Sequence, residues 1–228
     1  SAVTFRDAFW EPRRETTRHN SIRRQLELSE QTGRLDNFRR ASGRKVIEHH
    51  QGLVFNDSDV YKTLEAASYA LLDGVDDELG AMIDLAIDEI AAAQQEDGYL
   101  NTYFMFEREK ERYTNLTQLH ELYCYGHLIQ AAIAHKRCTG QNTFFDVALK
   151  VAEHLLEVLW SVPPHKLRSR GISLGSISKN QEKKIASRLS DHGIDWSFDP
   201  SADRPKPNRI LVDVSWSSDG NRWTGLPT

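Results

Sequence analysis

Residues 59–90 read DVYKTLEAASYALLDGVDDELGAMIDLAIDEI, and this stretch decides the fold. Val60, Leu64, Ala67 and Leu71 recur at the three- and four-residue spacing of one helical face, and Gly74 stands where such a helix ends. Beyond the turn, Leu79, Met82, Ile83, Ala86 and Ile90 draw a second stripe, which closes before Asp97-Gly98. The pattern then returns. A third helix is predicted from about Thr117 to Arg137, with Leu122, Ile129 and Ile133 on its stripe and Gly140 at its end. Asn142 can cap a fourth, striped by Phe145, Ala148, Leu149, Ala152 and Leu156. A shift of 66 residues lays Gly74 on Gly140, Leu79 on Phe145, Ile83 on Leu149, Ala86 on Ala152 and Ile90 on Leu156. One hairpin cannot bury its own seam, so repeated hairpins stack on each other. The expectation is an all-α array or toroid of helical hairpins. Upstream, Pro12 opens a further helix with Ile22 and Leu26 on one side and Gly33 just past its end.

Composition limits what such an array does. Of 228 residues, 39% are apolar and 27% charged, which fits a soluble globular protein, and no run approaches the roughly 18 apolar residues of a membrane helix. No secretion signal is visible, so a cytoplasmic location is expected, and Ser1 in place of methionine is read as trimming. Cys124 and Cys138 are the only cysteines, too few for a disulfide framework or a four-cysteine zinc site. Residues 1–160 carry 18 basic and 26 acidic side chains, a net −8, whereas residues 161–228 carry 11 and 7, a net +4. The acidic body argues against nucleic acid, since phosphate binding needs a concentrated basic surface. Residues 161–228 also hold 12 of 18 serines and 6 of 7 prolines. They are read as an irregular tail, with alternation at Ile210, Val212, Val214 and Trp216 predicting one short strand.

In a stack of hairpins the short turns, Gly74 to Asp77 and Gly140 to Asn142, share one end, and the long connections share the other. Function is sought at the long-loop end. Three clusters lie there. In GLVFNDSDVYK, Asp57 or Ser58 reads as a helix cap, and Asp59 is left as a ligand-facing candidate. In QQEDGYLNTYF, Asp97 and Tyr99 suit a surface that bonds sugar hydroxyls and stacks on sugar rings, although loop packing explains them equally well. In HELYCYGH, His120, Cys124 and His127 share a helical face, which admits a zinc site, while His120 alone pointing into the loop end is favoured. Cys124 and Gly126 are expected to pack deeper, the glycine because of a close neighbour.

The segments GLVFNDSDVYKTLEAASYAL, AAAQQEDGYLNTYF and LHELYCYGHLIQAAIAHKRCTG resemble, in that order and spacing, the N-terminal part of glycoside hydrolase family 127, the β-L-arabinofuranosidase-like proteins. VTFRDAFW and RLDNFRRASG are similar to that family's start, so the resemblance runs from about Val3 to Trp160. It implies an (α/α)6 barrel followed by β-domains, and release of terminal β-L-arabinofuranose with retention. It further implies a cysteine nucleophile held at zinc by further cysteines and a glutamate, with another glutamate as acid/base. All of these fall downstream of the matched stretch. The histidine of HELY, here His120, lies in the family's sugar pocket.

The resulting expectations are specific. Residues 1–160 are the N-terminal part of an (α/α)6 barrel left incomplete, because six hairpins of this length need about 400 residues. Residues 161–228 are a Ser/Pro-rich basic tail: a frame-shifted end is favoured over a disordered extension or a small added module. The substrate-binding set is His120, Asp59, Asp97 and Tyr99, with no catalytic and no metal-binding residue in the chain. No cofactor is expected here, the family's zinc being bound downstream. The partner is an L-arabinose-containing glycan, not nucleic acid or a membrane. The chain alone is expected to be inactive; the alternatives are a carbohydrate-binding or scaffold protein, and a metal enzyme using HELYCYGH.

Overall fold

The computed structural model describes residues 7–116 and 118–160, together with the backbone of 212–216 and 223–227. Contacts divide the chain into two units, residues 1–161 and 162–228. Among its described residues the regular elements of the first are all helices. Helix α1 (Trp10–Thr16) passes through a five-residue π turn (Thr17–Ser21) into α2 (Ile22–Gln31). It starts two residues before Pro12, which sits within the first turn, where its missing N–H costs nothing. Gly33, at φ +76°, ends this helix as expected and at once opens another, α3 (Arg34–Ala41), that the sequence pattern did not reveal.

The two predicted hairpins follow. Helices α4 (Asn56–Ala70) and α5 (Asp77–Ala93) form the first, and α6 (Glu121–Thr139) and α7 (Thr143–Trp160) the second. Corresponding helices begin 65 and 66 residues apart, close to the repeat read from the apolar pattern. Gly74 and Gly140 both take positive φ, +140° and +77°, which a side chain would resist. Asp76 caps α5, its Oδ1 accepting from the Leu79 N–H at 3.1 Å. Arg18 and Arg23 reach this same turn, Arg18 donating to the Gly74 carbonyl and Arg23 to Asp76. The helix they sit on thus runs back along α4.

The core sits between α4 and α6. Val60, Tyr61, Leu64 and Ala67 of the first, and Cys124, Leu128, Ala131 and Ala132 of the second, are all fully buried. Alanines at these seams let the two backbones come close, and each full-sized apolar side chain enclosed contributes roughly 1.5–3 kcal/mol. The two helices are parallel: Phe55 meets His120 at their starts, and Tyr69 lies near Arg137 and Cys138 at their ends. The long connections therefore do meet at one end. Arg39 fastens the outer layer by pairing with Glu30, Asp36 and Glu89. No described helix is long and apolar enough to cross a membrane.

In the second unit, β1 (Val212–Trp216) pairs antiparallel with β2 (Trp223–Pro227), Val214 opposite Gly225. The alternation from Ile210 to Trp216 predicted one short strand, and β1 occupies Val212–Trp216 of it; the pairing strand β2 was not predicted. Ile210 and the remainder of 161–228, including the proposed frame shift, lie outside the described residues.

Candidate functional site

The third helix was predicted from Thr117, but α6 begins at Glu121. The reason is His120, which adopts the left-handed conformation, φ 56° and ψ 21°. Histidine tolerates this region better than most residues, yet it costs about 1–3 kcal/mol, and such positions concentrate where function needs them. The half-buried imidazole is packed edge-on against Phe55 at 5.5 Å and against Tyr123 at 5.7 Å between ring centres. From there a polar row crosses the helix faces. Lys62 Nζ lies 3.3 Å from Tyr123 Oη and 3.2 Å from Asp59 Oδ1, and Arg34 Nε donates to Asp59 Oδ2 at 3.1 Å. Of the four residues expected to face a ligand, His120 and Asp59 are thus joined by a continuous chain of contacts.

Asp97 and Tyr99 are placed differently. Asp97 is exposed and shapes its turn, Oδ1 accepting from the Tyr99 N–H at 3.0 Å, while its carbonyl lies 2.8 Å from His154 Nδ1. Tyr99 is fully buried. Its hydroxyl donates to Glu121 Oε1 at 2.9 Å, and the Arg112 guanidinium covers its ring at 3.7 Å. In this structure both organise the 94–120 connection.

Two carboxylates hold that connection: Glu121, which sequence reasoning passed over, and Asp57, which it read as a helix cap. Glu121 is fully buried; Oε1 takes the Tyr99 hydroxyl, and Oε2 accepts from the Tyr113 N–H at 2.7 Å. Burial raises its pKa against these hydrogen bonds. Asp57 does not cap α4, whose N-cap position is Phe55. Instead it reaches across to Thr102, accepting from both its N–H, at 2.7 Å, and its hydroxyl, and burial pushes its pKa up to about 6. Ser58 does not cap either, since its hydroxyl donates back to the Phe55 carbonyl. Both partners are distant in sequence, so only a pattern linking Asp57 to NTYF and Glu121 to DGY could have flagged them.

The HELYCYGH cluster does not converge. Cys124 directs its thiol toward the Phe55 carbonyl at 3.9 Å, and His127 packs on Tyr123 at 4.6 Å. Among the described residues no group of three or more His, Cys, Asp or Glu side chains could hold a metal. Burial, then the Asp57 charge, drives the Cys124 thiol far above its usual range, the opposite of a zinc-activated thiolate. These residues do not fit the family's zinc. Gly126 is a further correction: it is exposed, and a Cβ there would meet nothing within 4 Å.

Known proteins supply the remaining comparison. The model of the β-L-arabinofuranosidase GH127 catalytic domain matches residues 2–178. The non-reducing end β-L-arabinofuranosidase of Bifidobacterium longum subsp. longum is 44% identical over 123 residues, 52% of this chain and 18% of that protein. A solved GH127 β-arabinofuranosidase has a TM-score of 0.61 at 34% identity, covering 68% of this chain and 26% of its own. A GH127 β-L-arabinofuranosidase from Geobacillus stearothermophilus T6 reaches 0.65 at 31% identity, covering 87% and 36%. This chain therefore spans about a fifth of the curated relative, about a quarter of the first solved one and little more than a third of the second. With over three quarters of its residues matched and its helical fold shared by solved members, the chain belongs to the GH127 β-L-arabinofuranosidase catalytic-domain family.

Proposed function

We propose that this chain supplies the His120 side of a sugar cleft in a hydrolase acting on terminal β-L-arabinofuranosides. Its helices form one arc of an (α/α)6 ring, with residues 1–160 as the structural unit. The observation that carries this is His120, held in a costly left-handed conformation at the long-loop end and flanked by two aromatic rings and the Lys62–Asp59 pair. An imidazole beside an aromatic edge and an amine–carboxylate pair offers what a furanose needs: hydroxyl donors and acceptors next to an apolar wall. Asp59 and Lys62 supply the acceptor and the donor, while Phe55 and Tyr123 fix the imidazole.

Residues 7–160 bind but do not cleave. Cleavage by a thiol requires a thiolate, and Cys124 is held protonated by its burial, while burial also raises the pKa of the half-buried Cys138. The zinc and the acid/base of the family lie outside residues 7–160. Calorimetry with L-arabinose on the 228-residue chain should show binding that His120→Ala abolishes, with no release of nitrophenol from an aryl β-L-arabinofuranoside. Sugar binding indifferent to His120→Ala refutes the site, and steady nitrophenol release refutes the division of labour. A carbohydrate-binding scaffold is the second reading, favoured by the same protonated thiols; it predicts binding with no turnover even when the helical unit is joined to the remaining length that its relatives have.

A further inference from the structure

Asp59 and Lys62 also face a second place. Between α2 and α4 lies an open cavity of about 610 Å³, within the roughly 300–1,000 Å³ of small-molecule sites. Its walls divide by chemistry. Ile22, Leu28 and Ala66 make an apolar side, and Arg34, Asp59 and Lys62 a charged one. Arg34 approaches Asp59 from one flank at 3.1 Å and Lys62 from the other at 3.2 Å, so the carboxylate is balanced within the wall. An anion arriving there would have to displace Asp59 from its two cations. A neutral polyol would not: vicinal hydroxyls accept from Arg34 or Lys62 and donate to Asp59, while the C–H face of the ring lies on Ile22 and Leu28. His120 does not line the cavity. The link is Lys62, which touches Tyr123, the ring packed on His120.

We infer that this cavity is a second sugar subsite, which takes the neutral ring attached to the one at His120 and so sets the preference for the group to be released. The inference rests on the His120 reading for its position in the reaction, but not for its chemistry.

The test uses the full 228-residue chain with labelled Ile, Thr and Ala methyl groups, titrated with L-arabinose and with a β-linked L-arabinofuranose disaccharide. The disaccharide should shift the Ile22, Thr63 and Ala66 methyl signals, which the monosaccharide leaves in place. It should bind about ten-fold more tightly, the value of one or two net hydrogen bonds. Arg34→Met removes one cation from the charged wall, and Ala66→Phe fills the cavity without touching the ion pairs. Each should reduce the disaccharide to the affinity of the monosaccharide, and Ala66→Phe should leave the affinity of the monosaccharide itself within about two-fold. Silent cavity methyls beside a responding His120 imidazole overturn the inference and leave the His120 reading intact. Cavity methyls that respond equally in His120→Ala, with affinity unchanged, sink the His120 reading and leave the cavity as a polyol site. Disaccharide affinity unaffected by both cavity variants overturns the inference.

Discussion

Asp57 should make the stability of this fold depend on pH in a direction opposite to that of Asp36, Asp76 and Glu107. The residue is 2% exposed, and among the described residues its two oxygens are bonded by Thr102 and by no cation. Burial outweighs the two hydrogen bonds and lifts its pKa from 3.8 to about 6. A folded-state pKa above the unfolded one means that the folded protein favours the protonated form. The contribution is then fully present below about 3.8 and is lost as pH rises through about 6. The shift corresponds to about 3 kcal/mol, of which about 2 kcal/mol falls between pH 4.5 and 7.5. Wild-type unfolding alone will not isolate it, because Asp36, Asp76 and Glu107 have lowered pKa values and pull the other way. Asp57→Asn will. The amide can accept from the Thr102 N–H and donate to its hydroxyl, so contacts persist while the charge is removed. Urea unfolding of both proteins at pH 4.5 and 7.5 should show the variant gaining about 2 kcal/mol relative to wild type at the higher pH. A difference that stays constant within about 0.5 kcal/mol across that range would refute the reasoning.

Glu121→Ala leaves the Tyr99 hydroxyl and the Tyr113 N–H without their acceptor, at about 1–3 kcal/mol each, so urea midpoints should fall by the corresponding amount; loss of less than about 1 kcal/mol excludes the anchor role. Gly98→Ala places a Cβ 2.4 Å from the Lys150 carbonyl oxygen at φ +86°, and thermal unfolding should show a loss of about 2 kcal/mol or more. The half-buried Cys138 should react with an aromatic disulfide well before the buried Cys124, and Cys138→Ser should eliminate the faster phase.

The hairpins were legible because each carries its own record of burial. Leu79, Ile83, Ala86 and Ile90 fall on one stripe, and all four are buried. Helix α3 was not legible, since RLDNFRRA offers only Leu35 and Phe38 as buried apolar residues in eight positions, with arginines whose partners lie elsewhere. The start of α6 was misplaced by four residues, because nothing local announces that His120 is left-handed. His120 itself could be chosen from its position at the long-loop end. Asp57 and Glu121 could not, because what defines them is desolvation and a partner 45 or 22 residues away. Gly126 failed for a related reason: a small residue in a helix suggests a neighbour, but the described residues place none beside it.

The attachment of Glu121 to Tyr99 and Tyr113 has one more consequence. The residue immediately before it cannot swing without tearing out a sealed carboxylate, so the neighbouring imidazole is preorganised ahead of any guest. Association there should proceed with little ordering penalty and near-identical free and occupied backbones. Selectivity at this spot would then come from shape already cast, not from a loop that moulds itself around what arrives.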